Sequence, residues 1–294
     1  MNLTEPPSNE RVDPLVFPAQ ETVRSATGRV SDSLRRLWQA LRFEWQHRGI
    51  PQRGRGAVRT QRVGTTRGGS RIAPTRVRRN GIAYCAGLSD DLSFELELVQ
   101  RFDLAVYVFD PTPGSQERVG RVGALAGFYY VPVGLWGTSG STTLYPTVDA
   151  TRYPRARESG VSRRGSRVDV RTIPAMMKQL GHEGRPIDVL KLDIEGAEYD
   201  VIDNMIASGV RPSQIVVSFH HRYEAAGLSR TRDAVRMLRG QDYHVAAVDG
   251  AVMTFVSAAA PDQALPSERV VGARTAAERA LGSGTARRQR SGDG

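Results

Sequence analysis

The chain has 294 residues, of which 39% are hydrophobic, and its formal net charge at pH 7 is +10. Its single cysteine, Cys85, excludes an internal disulfide bond and a cysteine-based zinc site. No apolar run reaches the length of a membrane span, and the amino terminus lacks the basic and apolar regions of a signal peptide. These features predict a soluble cytoplasmic protein.

The positive charge is concentrated in an arginine-rich arm. Residues 1–80 hold 16 arginines against 6 acidic residues, whereas residues 81–258 are close to neutral. The arm and the small, polar residues 259–294 contain too little apolar surface to offset the entropy of ordering, so both are predicted to be largely disordered. One domain is predicted over residues 81–258. The arm is a candidate for binding a polyanion, but we favour a solvated arm without a specific partner.

Within the arm, residues 31–47 have the pattern of an amphipathic helix. Leucine and tryptophan side chains recur there at helical spacing, with arginines on the rest of the surface. We expect this helix to dock against the domain rather than to lie on a membrane. Residues 51–79 are then predicted to form a flexible, arginine-rich linker.

Strands and helices are predicted to alternate along the domain. Strands are predicted at 81–86, 104–109, 128–133, 168–172, 188–192, 214–219, 243–248 and 251–256, and helices at 92–102, 174–180, 197–207 and 228–239. Residues 137–166 are a polar excursion from this pattern. Alternation of this kind predicts an α/β domain with a doubly wound, mostly parallel sheet that ends in an antiparallel pair.

The ends of the first two predicted strands point to a nucleoside-bearing ligand. Gly87 follows the first strand, and a glycine there lets the backbone approach a ligand closely. Asp110 ends the second strand, where an acidic residue commonly binds the two ribose hydroxyls. Alternatively, Asp110 only begins the turn at 110–113. Acidic residues at 90 and 91 would repel a pyrophosphate, so these features favour S-adenosylmethionine, with its two positive groups, over a nicotinamide dinucleotide.

A third group of candidate residues follows the strands at 188–192 and 214–219. Asp193, Glu195 and Glu198 lie within six residues, and His220 ends the neighbouring strand. His220 is a candidate base for removing a proton from an acceptor hydroxyl, and Asp193 or Glu195 is a candidate to position that acceptor. Glu198 is interpreted either as part of this group or as an acid that favours the helix amino terminus.

Five segments of the domain together resemble the FkbM-type family of S-adenosylmethionine-dependent methyltransferases. They are residues 84–94, 109–113, 132–135, 188–198 and 218–222. The segment that characterises the family best is Lys191-Leu192-Asp193-Ile194-Glu195-Gly196-Ala197-Glu198. The resemblance covers about residues 76–258, with the segments in the same order.

The resemblance implies a Rossmann-like class I fold, which is a doubly wound seven-stranded sheet with an antiparallel last strand. It implies that Asp110 holds the cofactor ribose and that Gly134 and Leu135 lie near the adenine. The cofactor-binding residues implied at the first strand and its turn are Tyr84, Gly87, Ser89, Asp90 and Asp91. Family members usually have a second glycine where this chain has Ser89, so Ser89 must keep a negative φ.

We therefore expect a methyltransferase that uses S-adenosylmethionine to methylate the hydroxyl of a small molecule or sugar. Its predicted catalytic residues are Asp193, Glu195 and His220. The alternatives are a nucleic-acid methyltransferase that uses the basic arm and a non-catalytic adaptor that retains the fold. Two or three of the acidic residues have the chemistry to hold Mg²⁺, but a metal site is not predicted.

Overall fold

The computed structural model describes residues 58–146, 164–221 and 227–259. The helix predicted at 31–47 and the predicted tail from residue 260 onward lie outside the described residues. The strands are β1 (Gln61–Val63), β2 (Ser70–Ile72), β3 (Ile82–Ala86), β4 (Ala105–Phe109), β5 (Phe128–Val131), β6 (Gly134–Leu135), β7 (Gly140–Leu144), β8 (Ser166–Arg171), β9 (Val189–Leu192), β10 (Gln214–Ser218), β11 (Tyr243–Asp249) and β12 (Val252–Ser257). The helices are α1 (Ser93–Phe102), α2 (Ser115–Gly120), α3 (Ile173–Gln179), α4 (Glu198–Ala207) and α5 (Leu228–Gly240), with a short 3-10 turn at Pro74–Arg76.

The centre of the domain is a seven-stranded mixed sheet, so the predicted α/β class is confirmed. Its strand order is β11-β12-β10-β9-β3-β4-β5. The five strands β10, β9, β3, β4 and β5 run parallel to one another. At the other side of β10, β12 pairs antiparallel with both β10 and β11. The chain extends the sheet from β3 toward β5 and then returns to add β9 on the other side of β3. The carboxyl ends of β3 and β9 therefore flank the point where the strand order reverses, which is where open α/β sheets bind ligands.

Both faces of the large sheet are covered by apolar side chains. On one face, the buried side chains of the strands pack against α3, α4 and α5. On the other face, they pack against α1 and against the hairpin of β1 and β2. Strands buried on both faces read as continuous apolar runs, which is why β3 and β9 stand out in the sequence.

The flexible linker predicted over residues 51–79 is wrong for residues 58–79. β1 and β2 form an antiparallel hairpin, and Val63 and Ile72 are fully buried beneath the sheet. Arg78 fastens the end of this segment, because its backbone N–H and its guanidinium both donate hydrogen bonds to the fully buried carboxylate of Asp188. A hairpin with one buried face needs only a few apolar residues. The arginine-rich composition of this segment therefore gave no indication of the hairpin.

The chain between β5 and α3 contributes a second, three-stranded sheet, of which β7 lies within the predicted polar excursion. The strand predicted at 128–133 ends at Val131, since Pro132 has no N–H to donate to a ladder. The chain then forms β6, which pairs parallel with β8, while β7 pairs antiparallel with β8. The strand predicted at 168–172 is therefore present as β8 but belongs to the small sheet. Within the described ranges, no helix has the length and hydropathy needed to cross a lipid bilayer.

A buried ion pair joins α1 to β9, the helix and strand on either side of the reversal point. The Nζ atom of Lys191 lies 2.7 Å from Oε1 of Glu95, and both side chains are almost completely buried. The Lys191 ammonium also lies 5.2 Å from the ring centroid of Phe94. Burial alone would lower the pKa of Lys191, but the nearby Glu95 carboxylate outweighs it and the pKa is raised. Lys191 therefore keeps its positive charge within the core.

Replacing Lys191 with Met should lower the free energy of unfolding by about 3–5 kcal/mol, because Glu95 would remain buried without its cation. The double variant Lys191→Met/Glu95→Leu should recover most of that loss, since neither charge remains. Urea unfolding measures both changes. The matched control is Arg121→Met, which breaks an exposed pair with Glu117 and should cost less than about 1 kcal/mol. A double variant no more stable than Lys191→Met would contradict this account.

Candidate active site

The tips of β3 and β9 approach each other closely at Gly87. Gly87 has φ of +89°, and a Cβ atom placed on it would lie 2.0 Å from the carbonyl oxygen of Asp193. Its N–H donates a 3.0 Å hydrogen bond to the carbonyl oxygen of Phe109, the last residue of β4. A side chain at position 87 would therefore force the strand tips apart. The close approach seen here is to the backbone of Asp193, and the predicted approach of Gly87 to a ligand stays a prediction.

Asp110 links the tips of β3 and β4 through its buried carboxylate. Oδ2 accepts a 2.7 Å hydrogen bond from the N–H of Leu88. Oδ1 accepts hydrogen bonds from the N–H and hydroxyl of Thr112, at 2.8 Å and 2.5 Å, and from the hydroxyl of Ser115 at 2.7 Å. Oδ1 is thus filled by its own loop. Because a carboxylate oxygen has two lone pairs, Oδ2 keeps one acceptor position for a ligand hydroxyl.

The loop from Ser89 to Asp91 lies beside Gly87 and leads into α1. Ser89 and Asp90 are exposed, and Ser89 is not among the described non-glycine residues with positive φ, so the missing second glycine leaves no strained backbone there. Asp91 accepts hydrogen bonds from the N–H of Ser93 at 3.0 Å and from the hydroxyl of Thr65 at 2.5 Å. Burial alone would raise the pKa of Asp91, but these hydrogen bonds outweigh it and lower the pKa.

Two side chains of the predicted cofactor set belong to the apolar core rather than to the strand tips. Tyr84 is fully buried, and its hydroxyl is hydrogen-bonded to Nδ1 of His182 at 2.7 Å. Leu135 is also buried in the core. Gly134, by contrast, lies against the turn that follows Asp110, because a Cβ on it would be 3.3 Å from the ring of Pro111. Only Gly134 of these three is placed beside the predicted ribose position.

The structure brings the three predicted catalytic residues together. Nε2 of His220 lies 3.5 Å from Oδ1 of Asp193 and 3.6 Å from Oε2 of Glu195. Glu195 has φ of +50° and Gly196 has φ of +105°, so the chain turns sharply after β9 and brings the Glu195 carboxylate back toward His220. His220 is almost completely buried, whereas the Asp193 side chain is 40% exposed. The pair therefore places a buried imidazole behind an accessible carboxylate.

Glu198 is a buried member of this cluster, and the sequence had left its role open between this group and the helix amino terminus. Its side chain is fully buried at the first turn of α4. One oxygen accepts a 2.6 Å hydrogen bond from the N–H of His220, and the other accepts one of 2.8 Å from the N–H of Gly196. Oε1 also lies 3.4 Å from Nδ1 of His220. Glu198 therefore contacts both the backbone and the ring of His220. The sequence signal for this role was the presence of a third acidic residue close to Asp193 and Glu195.

The surrounding carboxylates determine the protonation of His220. Burial alone would lower the pKa of His220, but Glu198 above all, and Glu195 and Asp193 with it, outweigh burial and raise the pKa. Because Glu198 faces Nδ1, it favours the tautomer that carries its proton there and leaves the Nε2 lone pair toward Asp193 and Glu195. The arrangement suits a base that accepts a proton at Nε2.

In the parts of the chain that the structure describes, no three His, Cys, Asp or Glu residues form a group that could hold a metal ion.

A mixed α/β sheet with acidic and imidazole groups at its reversal point is consistent with a methyltransferase-like protein. The model of the methyltransferase FkbM domain matches residues 78–245, which is more than half of the chain. The chain therefore belongs to the FkbM methyltransferase family. A search of curated proteins found no match. The matched segment contains every predicted site residue, but it begins after the hairpin of β1 and β2.

The raised pKa of His220 should appear in the pH dependence of stability. A histidine whose pKa in the folded state exceeds its unfolded value of about 6.5 stabilises the fold below that pH and loses this contribution as the pH rises through the folded pKa. The free energy of unfolding lost in His220→Gln should therefore be larger at about pH 5.5 than at about pH 9. Urea unfolding of both proteins at the two pH values measures it.

His182 provides a matched control of opposite sign. Burial, with a smaller contribution from Arg185, lowers the pKa of His182. The loss in His182→Gln should therefore be larger at high pH than at low pH, since the neutral form is the one that the fold stabilises. Equal slopes for the two variants would contradict the assigned electrostatics.

Proposed function

We propose that this FkbM-family chain is an S-adenosylmethionine-dependent methyltransferase that methylates a hydroxyl of a small molecule or sugar. The observation that carries the proposal is the position of Asp193. Its carbonyl oxygen lies against Gly87, at the proposed cofactor edge, and its carboxylate lies 3.5 Å from Nε2 of His220. A cofactor at Gly87 would thus lie on one side of Asp193, and a base at His220 would lie on the other. We also propose that the strand order of the large sheet is the order found in class I methyltransferases.

The proposed cofactor site consists of the Gly87 backbone, the Ser89–Asp91 loop and Asp110. The exposed carboxylate of Asp90 suits the positive sulfonium and ammonium groups of S-adenosylmethionine. Oδ2 of Asp110 would accept one ribose hydroxyl at its remaining position, and Gly134, which packs against Pro111, would lie near the adenine. S-adenosylmethionine supplies a methyl group on a positively charged sulfur, which makes that carbon open to attack by an oxygen nucleophile.

The proposed acceptor site is the cluster around His220. An acceptor hydroxyl held by Asp193 would lose its proton to Nε2 of His220 as its oxygen bonds to the methyl carbon. The carbon–sulfur bond breaks, its electron pair stays on sulfur, and S-adenosylhomocysteine remains. Glu195 and Glu198 would stabilise the imidazolium that forms, because both lie within 3.6 Å of the ring nitrogens. The transfer would require the acceptor oxygen, the methyl carbon and the sulfur to lie in line, which two sites on one gap would allow.

Cofactor binding should be measurable by calorimetric titration with S-adenosylhomocysteine. Asp110→Asn should weaken this binding by about tenfold or more, since Asp110 accepts both the loop donors and the ribose. Asp233→Asn, an exposed acid on α5, is the matched control and should bind as the wild type does. Thermal unfolding verifies that both variants are folded. No heat of binding from the wild-type protein would contradict the proposed cofactor.

Catalysis should depend on the neutral form of His220. Methyl transfer is measured as labelled methyl that enters compounds of a lysate extract from S-adenosylmethionine. His220→Gln should reduce incorporation by about 100-fold or more while S-adenosylhomocysteine still binds, because a general base typically contributes that much. His244→Gln, a half-buried histidine on β11, is the control. The acid limb of the pH profile should lie above the ordinary histidine pKa of 6.5, since the raised pKa keeps His220 protonated to higher pH. Unchanged incorporation in His220→Gln would exclude it as the base.

One observation favours a second candidate, a non-catalytic protein that retains the fold. Three donors from its own loop fill Oδ1 of Asp110, so a ribose would find a single acceptor position on this carboxylate rather than two. In that case Asp110 is a structural residue that fixes the β4 turn. The calorimetric titration separates the candidates, because the non-catalytic protein would not bind S-adenosylhomocysteine.

A further inference from the structure

We propose that Thr65, in the turn between β1 and β2, is a positioning residue for the cofactor loop at Gly87–Asp91. The inference rests on the proposed function of that loop and adds a residue outside the segment matched by the family model, which begins at residue 78. Its basis is a set of contacts that fasten the hairpin turn to the last residue of the loop and to the first turn of α1.

The Thr65 hydroxyl has one donor and two acceptor positions, and all three are used. It accepts hydrogen bonds from the N–H groups of Arg67, at 3.2 Å, and Gly68, at 3.0 Å. Its proton is then directed to Oδ2 of Asp91, 2.5 Å away. The same hydroxyl that closes the hairpin turn therefore also holds the Asp91 carboxylate.

Two further hydrogen bonds and close packing fix the turn on α1. The N–H of Thr65 donates to the hydroxyl of Ser93 at 2.8 Å, and the N–H of Gly64 donates to Oε2 of Glu97 at 2.6 Å. A Cβ on Gly68 would lie 2.4 Å from Cγ of Asp91, so the turn is in direct contact with this side chain. The hairpin itself is anchored by the buried side chains of Val63 and Ile72. Asp91 is thus tied to a fixed part of the core.

These contacts matter for the loop because its other end is fixed independently. Gly87 and Leu88 are held at the strand tips by the carbonyl of Phe109 and the carboxylate of Asp110. Between the two ends, Ser89 and Asp90 are exposed. Without the Thr65 hydroxyl, the Asp91 carboxylate would lose its hydrogen bond to the hairpin turn at Oδ2 and keep the one from the N–H of Ser93. A loop that must be ordered during binding gives weaker affinity than one that is already in place.

The test compares four substitutions in the full chain by calorimetric titration with S-adenosylhomocysteine. Thr65→Val removes the hydroxyl at almost constant volume and should weaken binding by about tenfold, equivalent to about 1.4 kcal/mol. Thr65→Ser keeps the hydroxyl and should restore binding to within about twofold of the wild type. Thr66→Val removes the neighbouring exposed hydroxyl and should also bind within about twofold. Ser93→Ala, which removes the acceptor for the Thr65 N–H but keeps the Thr65 hydroxyl on Asp91, should give a smaller loss than Thr65→Val.

Hydrogen exchange of the peptide that spans residues 87–92 adds a readout that needs no cofactor. Thr65→Val should speed exchange there and Thr66→Val should not, as followed by mass spectrometry of the ligand-free proteins. Unchanged exchange, or a lower unfolding midpoint with unchanged affinity, would overturn the positioning role while leaving the proposed function intact. Absence of binding by the wild-type protein would instead overturn the proposed function, and the cofactor role of Thr65 with it.

Discussion

The site depends on the close approach of two strand tips at Gly87. The carbonyl oxygen of Asp193 lies so close to Gly87 that no Cβ atom would fit between them, and the turn after β3 therefore contacts the turn after β9. The strand order makes these tips neighbours, and the glycine allows them to touch. The loop that precedes α1 and the acidic turn that precedes α4 therefore lie side by side at one edge of the sheet, and they form the two sides of the gap in the proposed site.

Charges around this gap are held mainly by hydrogen-bond donors of the protein backbone and by hydroxyl groups. Glu198 receives two N–H groups, and Asp110 receives two N–H groups and two hydroxyls. Donors of this kind stabilise a carboxylate without a neighbouring cation. The ion pair of Lys191 with Glu95 lies deeper, between β9 and α1, where it joins the elements that support the gap. The site thus keeps acidic groups that remain available to a positively charged ligand.

The sequence predicts the parts of this arrangement that depend on local pattern. Apolar runs followed by glycine or acidic residues predict the ends of β3, β4 and β9, and parallel pairing then brings Asp193 near His220. Which polar or aromatic side chains are buried cannot be read from such local patterns, because burial depends on contacts between distant segments. Glu198 looks like an ordinary first residue of a helix, yet both of its oxygens are hydrogen-bonded within the core. Tyr84 lies within a characteristic segment, yet its side chain faces the core. The hairpin at 61–72 was concealed because two buried residues are enough to anchor it when they meet a complementary face.

The two ring nitrogens of His220 have unequal surroundings, and this inequality gives the cluster a direction. Nδ1 faces Glu198, which is fully buried, whereas Nε2 faces Asp193, whose side chain is 40% exposed. A proton that enters from the accessible side meets Nε2 first, and the carboxylate behind the ring stabilises the resulting charge. Asp193 has two functions in this arrangement, because its carboxylate borders Nε2 and its carbonyl oxygen closes against Gly87. A shift of the backbone at Asp193 would displace both sides of the gap together, so the proposed cofactor site and the proposed proton-transfer site are coupled through one residue.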